Sequence, residues 1–109
     1  MKSAGIAFAN KRVIVAILIN STVQIHRVKD VNEAKDILSV AKPDVVGIDI
    51  SSSDIYEDIE YSFNAIKIAR PSKEYSDKTI GKLTMLNITK EEDKPAIISA
   101  WLAIEKSSS

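Results

Sequence analysis

The chain opens with three short apolar runs separated by polar pairs. Ser3 to Ala9 is small and apolar, Asn10-Lys11 reads as a turn, and Val13 to Ile19 is an unbroken, largely β-branched run that suits a central strand covered on both faces. Asn20-Ser21 reads as the next turn. Beyond it Val23, Ile25 and Arg27 alternate with Thr22, Gln24, His26 and Val28, the pattern of a partly exposed edge strand. Two hairpins in series predict a meander. Asp30 with Glu33 three residues on is an N-cap signature, and Val31, Ala34, Ile37, Leu38 and Ala41 fall on one face of a helix that stops at Lys42-Pro43.

The stretch VVGIDISSSD, residues 45 to 54, then sets an apolar run against an acid and three serines. Asp44 to Ile50 predicts a fourth strand, with Val45 to Ile48 buried on both faces and Asp49 at its mouth. Ile55, Ile59, Phe63 and Ile66 step by helical intervals towards Arg70-Pro71, while Ile66 and Ile68 also alternate as a short strand would. Residues 72 to 81 read as a loop and Leu83 to Ile88 as a fifth strand. A last helix carries Ile97, Ile98, Trp101, Leu102 and Ile104 on its apolar side, and Ser107 to Ser109 form a frayed tail. The order predicts an α/β domain over residues 1–106, βββαβαβα, with a five-stranded mixed sheet in the order 3-2-1-4-5 and three helices. Val15, Ile17, Leu38, Val46, Ile48 and Trp101 are the expected core.

Composition narrows what such a domain can do. At 109 residues, 45% hydrophobic and 28% charged, the chain fits one core. Fifteen basic against fifteen acidic residues leave no global field to draw in nucleic acid, so such a contact needs a local patch. Lys67, Arg70 and Lys73, with Lys78 and Lys82, are the candidates; ordinary solubility is the competing explanation. The chain has no cysteine, which removes disulfides, thiolate metal sites and a cysteine nucleophile, and fits a cytoplasmic setting. Val13 to Ile19 is far shorter than the ~20 residues of a spanning helix, so no membrane contact is expected. Ser51 to Ser53 lack a nucleophile elbow, and Gly5, Gly47 and Gly81 are too scattered for a phosphate loop. His26, the single histidine, has no nucleophile to pair with.

The segments AGIAFANKRVIVAILI, KPDVVGIDI and EEDKPAIISAWLA resemble the ribonuclease H-like superfamily, in particular its resolvase-like and uncharacterised nuclease branches. They are similar, in turn, to that group's first hairpin, its fourth strand and the acidic start of its last helix. The resemblance implies carboxylates gathered from separate elements around two divalent ions, Mg or Mn, which activate water and stabilise displacement at a phosphodiester. On this chain the fourth-strand acid is Asp49, and the last-helix acid is Glu92 or Asp93, with Glu91 a weaker candidate; Asp49 and Asp93 are the implied metal ligands. The first-strand acid falls on Ala7 and is missing. No Asp or Glu occurs between Met1 and Val28, and Glu33 lies at the wrong place to substitute.

Each acid also has a plainer role. Asp49 can satisfy N–H groups at the junction that follows it. Thr89 with Glu92 makes a capping-box pattern, and Asp93 ahead of Lys94-Pro95 can itself be an N-cap. Asp54, Glu57, Asp58 and Glu60 suit a solvated helix face near its N-terminus. The expectation is a non-catalytic or weakly catalytic domain that binds nucleic acid or a protein partner as an accessory subunit in nucleic-acid processing. The alternatives are an active metal-dependent nuclease using Asp49, Glu92 and Asp93, and a homodimeric structural module pairing through a sheet edge or helix face.

Overall fold

A computed structural model describes residues 2–9, 11–19, 22–49, 57–63, 65–68 and 94–107. The three apolar runs form β1 (Lys2–Ala9), β2 (Arg12–Ile19) and β3 (Thr22–Val28), followed by α1 (Val31–Ala41) and β4 (Val45–Asp49). Then come α2 (Glu57–Phe63), the short β5 (Ile66–Ile68) and α3 (Lys94–Ser107). The strands lie side by side as β3-β2-β1-β4-β5. β1, β2 and β3 pair antiparallel, β4 runs parallel to β1, and β5 runs parallel to β4, so the sheet is mixed as the sequence predicts.

Two expectations need correction, and a third falls outside the described residues. The helix over residues 55 to 66 ends at Phe63, and Ile66–Ile68 is a strand, because β-branched residues in alternation gain more from pairing beside β4 than from another helical turn. The fifth strand expected at Leu83 to Ile88 lies outside the described residues. Ser107 closes α3 instead of opening a tail; residues 108 and 109 lie outside the described set.

The sheet carries a helix layer on each face. Ala4, Ile6, Val13, Val15, Ile17, Val46 and Ile48 point to one face, where they are buried with Ala34 and Leu38 of α1 and Ile59 of α2. Ala7, Ile14 and Ala16 point to the other, against Ala96 and Ile97 of α3. Strand alternation sends neighbouring residues to opposite faces, which is why an unbroken run such as Val13 to Leu18 is buried throughout. Trp101 is the exception among the expected core residues: it is half-buried, packs against the cluster of Ala7, Ile14, Ala16, Ala96 and Ile97, and its indole N–H donates to Glu105 Oε1 at 3.0 Å.

Local chemistry fixes where the elements start and stop. Asp30 caps α1 by accepting from the Glu33 amide at 3.0 Å, and the Glu33 carboxylate accepts from the Lys29 amide at 2.7 Å. This is the reciprocal logic of a capping box, reached one residue further back than usual, with a value of about 1 kcal/mol for the cap. Lys42 ends the helix in the left-handed region at φ 52°, its amide donating to the Leu38 carbonyl at 2.9 Å. Lys2 then ties three elements together. Its amide donates to Asp44 Oδ2 at 2.9 Å, its carbonyl accepts from the Asp44 amide at 2.8 Å, and its ammonium donates to the Ala41 carbonyl at 2.7 Å. A cation at the carboxyl end of α1 is also favoured by the helix dipole. The start of β4 is thereby held beside the start of β1.

Candidate functional site

That clamp determines what meets at the other end of the two strands. β1 and β4 are in register from Ser3 opposite Val45 to Ile6 opposite Ile48. One step further, Ala7 stands beside Asp49, and alternation turns both away from the Ile6 and Ile48 face towards α3. Ala7 packs with Ile14, Ala16, Ala96 and Ile97. Asp49 is only 1% exposed. A carboxylate withdrawn from water to this degree requires compensating interactions, and Asp49 is not without a partner.

The direction of α3 follows from what it touches. A Cβ on Gly5 would overlap the Ala96 carbonyl oxygen and the Ala100 amide nitrogen, and one on Gly47 would overlap the Ser99 carbonyl oxygen. Ser3 Oγ donates to the Ala100 carbonyl at 2.6 Å. Ala96 and Ile97 lie towards Ala7, while Ala100 lies towards Ser3, so α3 runs antiparallel to β1 and β4. Its amino end therefore stands over their carboxyl ends, the end that carries Ala7 and Asp49. The two glycines are what allow this: the helix backbone rests directly on the strand backbone, with Ser99, Ala100 and Ala103 as the small residues between.

Asp49 is the one expected site acid that the described residues locate. Glu91, Glu92, Asp93, Arg70, Lys73, Lys78 and Lys82 lie outside them. Asp54 does too, while Glu57, Asp58 and Glu60 belong to α2 and Lys67 to β5. Glu33 is engaged at the start of α1, as its sequence position implies. His26 lies on β3 on the opposite face from Asp49, in a groove shared with Gln24 and Asp36. Among the described residues no group of three or more His, Asp or Glu side chains is placed to hold a metal ion.

The sequence reading missed the glycine-based docking of α3. Its signal was legible: glycines inside two strand patterns, and Ala96, Ser99, Ala100 and Ala103 recurring at helical intervals. Comparison with family models, curated proteins and solved structures finds no match for the chain. None of the described helices is long and apolar enough to cross a membrane. The class defined by the described elements is an α/β domain with a mixed sheet between helices.

Proposed function

We propose that this chain is a ribonuclease H-like domain with a depleted catalytic centre, serving as a binding or accessory subunit in nucleic-acid processing. The observation that carries the reading is that β1 and β4 pair parallel as far as Ile6 opposite Ile48, so that Ala7 and Asp49 are the next residues at their carboxyl ends, beneath the amino end of α3. In a two-metal centre two neighbouring strand acids would share the ions; here a methyl group occupies one of those positions. The antiparallel β3-β2-β1 meander continued by a parallel β4 supports the same assignment.

The chemical consequence concerns charge. Two divalent ions held a few Å apart need several anionic ligands to offset their repulsion. Among the described residues Asp49 is the one acid at this end of β1 and β4, too little to offset two such ions, and its burial under α3 limits access for a phosphodiester. Purified protein incubated with single-stranded, double-stranded, hybrid and branched nucleic acids in Mg²⁺ or Mn²⁺ is expected to give no robust hydrolysis. Efficient cleavage that disappears in Asp49→Asn would overturn the proposal in favour of an active nuclease. Residual cleavage unchanged by Asp49→Asn would belong to a contaminant.

A further inference from the structure

The two edges of the sheet differ in kind. β5 is three residues long, whereas β3 runs for seven and pairs with β2 in unbroken register from Ile19 opposite Thr22 to Val13 opposite Val28. Proteins usually protect a long edge with proline, lysine, a bulge or a covering element. β3 has no proline and no break in register, carries Arg27 as its one charged residue, and among the described residues pairs only with β2. We propose that β3 is a self-association edge, where two copies pair antiparallel about a two-fold axis through Ile25 and continue one sheet across both chains. This inference stands apart from the ribonuclease H-like reading.

The backbone geometry selects that axis. Ile19 opposite Thr22 closes a hairpin over two residues, so it is a hydrogen-bonded pair, and bonded and non-bonded pairs then alternate along the ladder. Thr22, Gln24, His26 and Val28 turn their amide and carbonyl groups towards β2. Val23 and Ile25 turn theirs outward. A two-fold axis through Ile25 places these outward groups opposite their counterparts, with Ile25 exchanging two hydrogen bonds with Ile25 of the second copy.

Side chains agree with this register. Ile25 meets Ile25, and Arg27 meets Val23, so no like charges face each other. Gln24 meets His26, a donor-acceptor match that occurs twice by symmetry. On the α1 side a groove of about 350 Å³ is lined by Gln24 and His26, the residues flanking the axis, together with Ile17, Asp36, Ile37, Val40 and Ala41. Val40 is 84% exposed there. Pairing about Ile25 joins the two grooves across the seam and gives this valine, which a single copy leaves open to water, apolar surface to cover.

Sedimentation velocity over a concentration series tests the proposal. The expected species is a dimer of twice the 12.0 kDa chain mass, and Ile25→Pro is expected to be monomeric with unchanged circular dichroism, since the Ile25 amide points away from β2. A monomer at every concentration up to the solubility limit overturns the proposal. A register test holds even if the proline variant fails to fold. The chain has no cysteine, and a non-bonded antiparallel pair has a Cα separation of ~4.5 Å, within the disulfide range. Oxidising a mixture of Gln24→Cys and His26→Cys chains is expected to give a cross-linked dimer in high yield, and each variant alone little. Equal yields from the mixture and from the single variants would rule out the Ile25 axis.

Discussion

The two faces of the sheet are built by opposite means. Against α1 and α2 the strands present Ile6, Val13, Val15, Ile17, Val46 and Ile48, and the helix layer stands off at the distance those side chains set. Against α3 they present Ser3, Gly5, Ala7, Ala16 and Gly47, and the helix comes down onto the strand backbone itself. The first face is held by apolar volume throughout; on the second, Ile14 of β2 packs with Ile97 of α3, while over β1 and β4 the contact is set by the absence of side chains. A face of volume is weakened by removing atoms, because a cavity opens, but it accepts exchanges of similar size. A face of absences is weakened by adding them, and it has little room to adjust because the obstruction is main chain.

The sharpest way to break this comparison is Gly5→Val. Its added atoms meet the Ala96 carbonyl and the Ala100 amide, so α3 must lift as a whole. Overpacking commonly costs ~1–3 kcal/mol, and backbone obstruction places this case at the top of that range or beyond it. Urea unfolding is expected to show a loss of about 3 kcal/mol or more; a loss below about 1 kcal/mol would mean that α3 does not rest on β1.

Leu38→Ala probes the other face. Leu38 is fully buried among the strand side chains, so truncation is expected to cost about 2–5 kcal/mol by the same assay. Leu38→Met conserves volume and is expected to cost less than about 1.5 kcal/mol. If the methionine variant were as damaging as alanine, the α1 face would be as shape-specific as the α3 face and the contrast would fail.

How much of this was legible in the sequence divides along the same line. Volume leaves a periodic trace: the alternation of β3, the unbroken β2 run and the steps from Ala34 to Leu38 all gave their elements, and the last also gave the face that α1 buries. Absence leaves a fainter one. Gly5 and Gly47 were weighed only as too scattered for a phosphate loop; the register aligns them as partners under α3. Trp101, large and apolar, looked like core, but the tight seat of Ala96 and Ala100 leaves the indole half-buried at the margin of the cluster. The site is legible to a similar extent. The resemblance alone marked Ala7 and Asp49 as the places of an expected pair of acids; the β1–β4 register sets them next after Ile6 and Ile48, and the direction of α3 puts its amino end over both.

A smaller effect sharpens the picture where α1 hands over to β4. Lys42 holds a left-handed conformation that costs a side-chain-bearing residue roughly 1–2 kcal/mol, while glycine would add ~0.5–1 kcal/mol of unfolded-state entropy. Lys42→Gly is therefore expected to stabilise the fold by about 0.5 kcal/mol, seen as a small rise in Tm. No rise, or a fall, would mean that the lysine side chain contributes more at this cap than its backbone geometry costs.

The proposed depletion of a metal site at the ends of β1 and β4 is tested most directly by calorimetric titration of the native chain and of Asp49→Asn with Mn²⁺. With Ala7 beside Asp49, the native chain is expected to show no saturable binding in the micromolar range, and its heats should match those of the variant. Micromolar, stoichiometric binding that Asp49→Asn abolishes would show a competent metal centre and contradict the account.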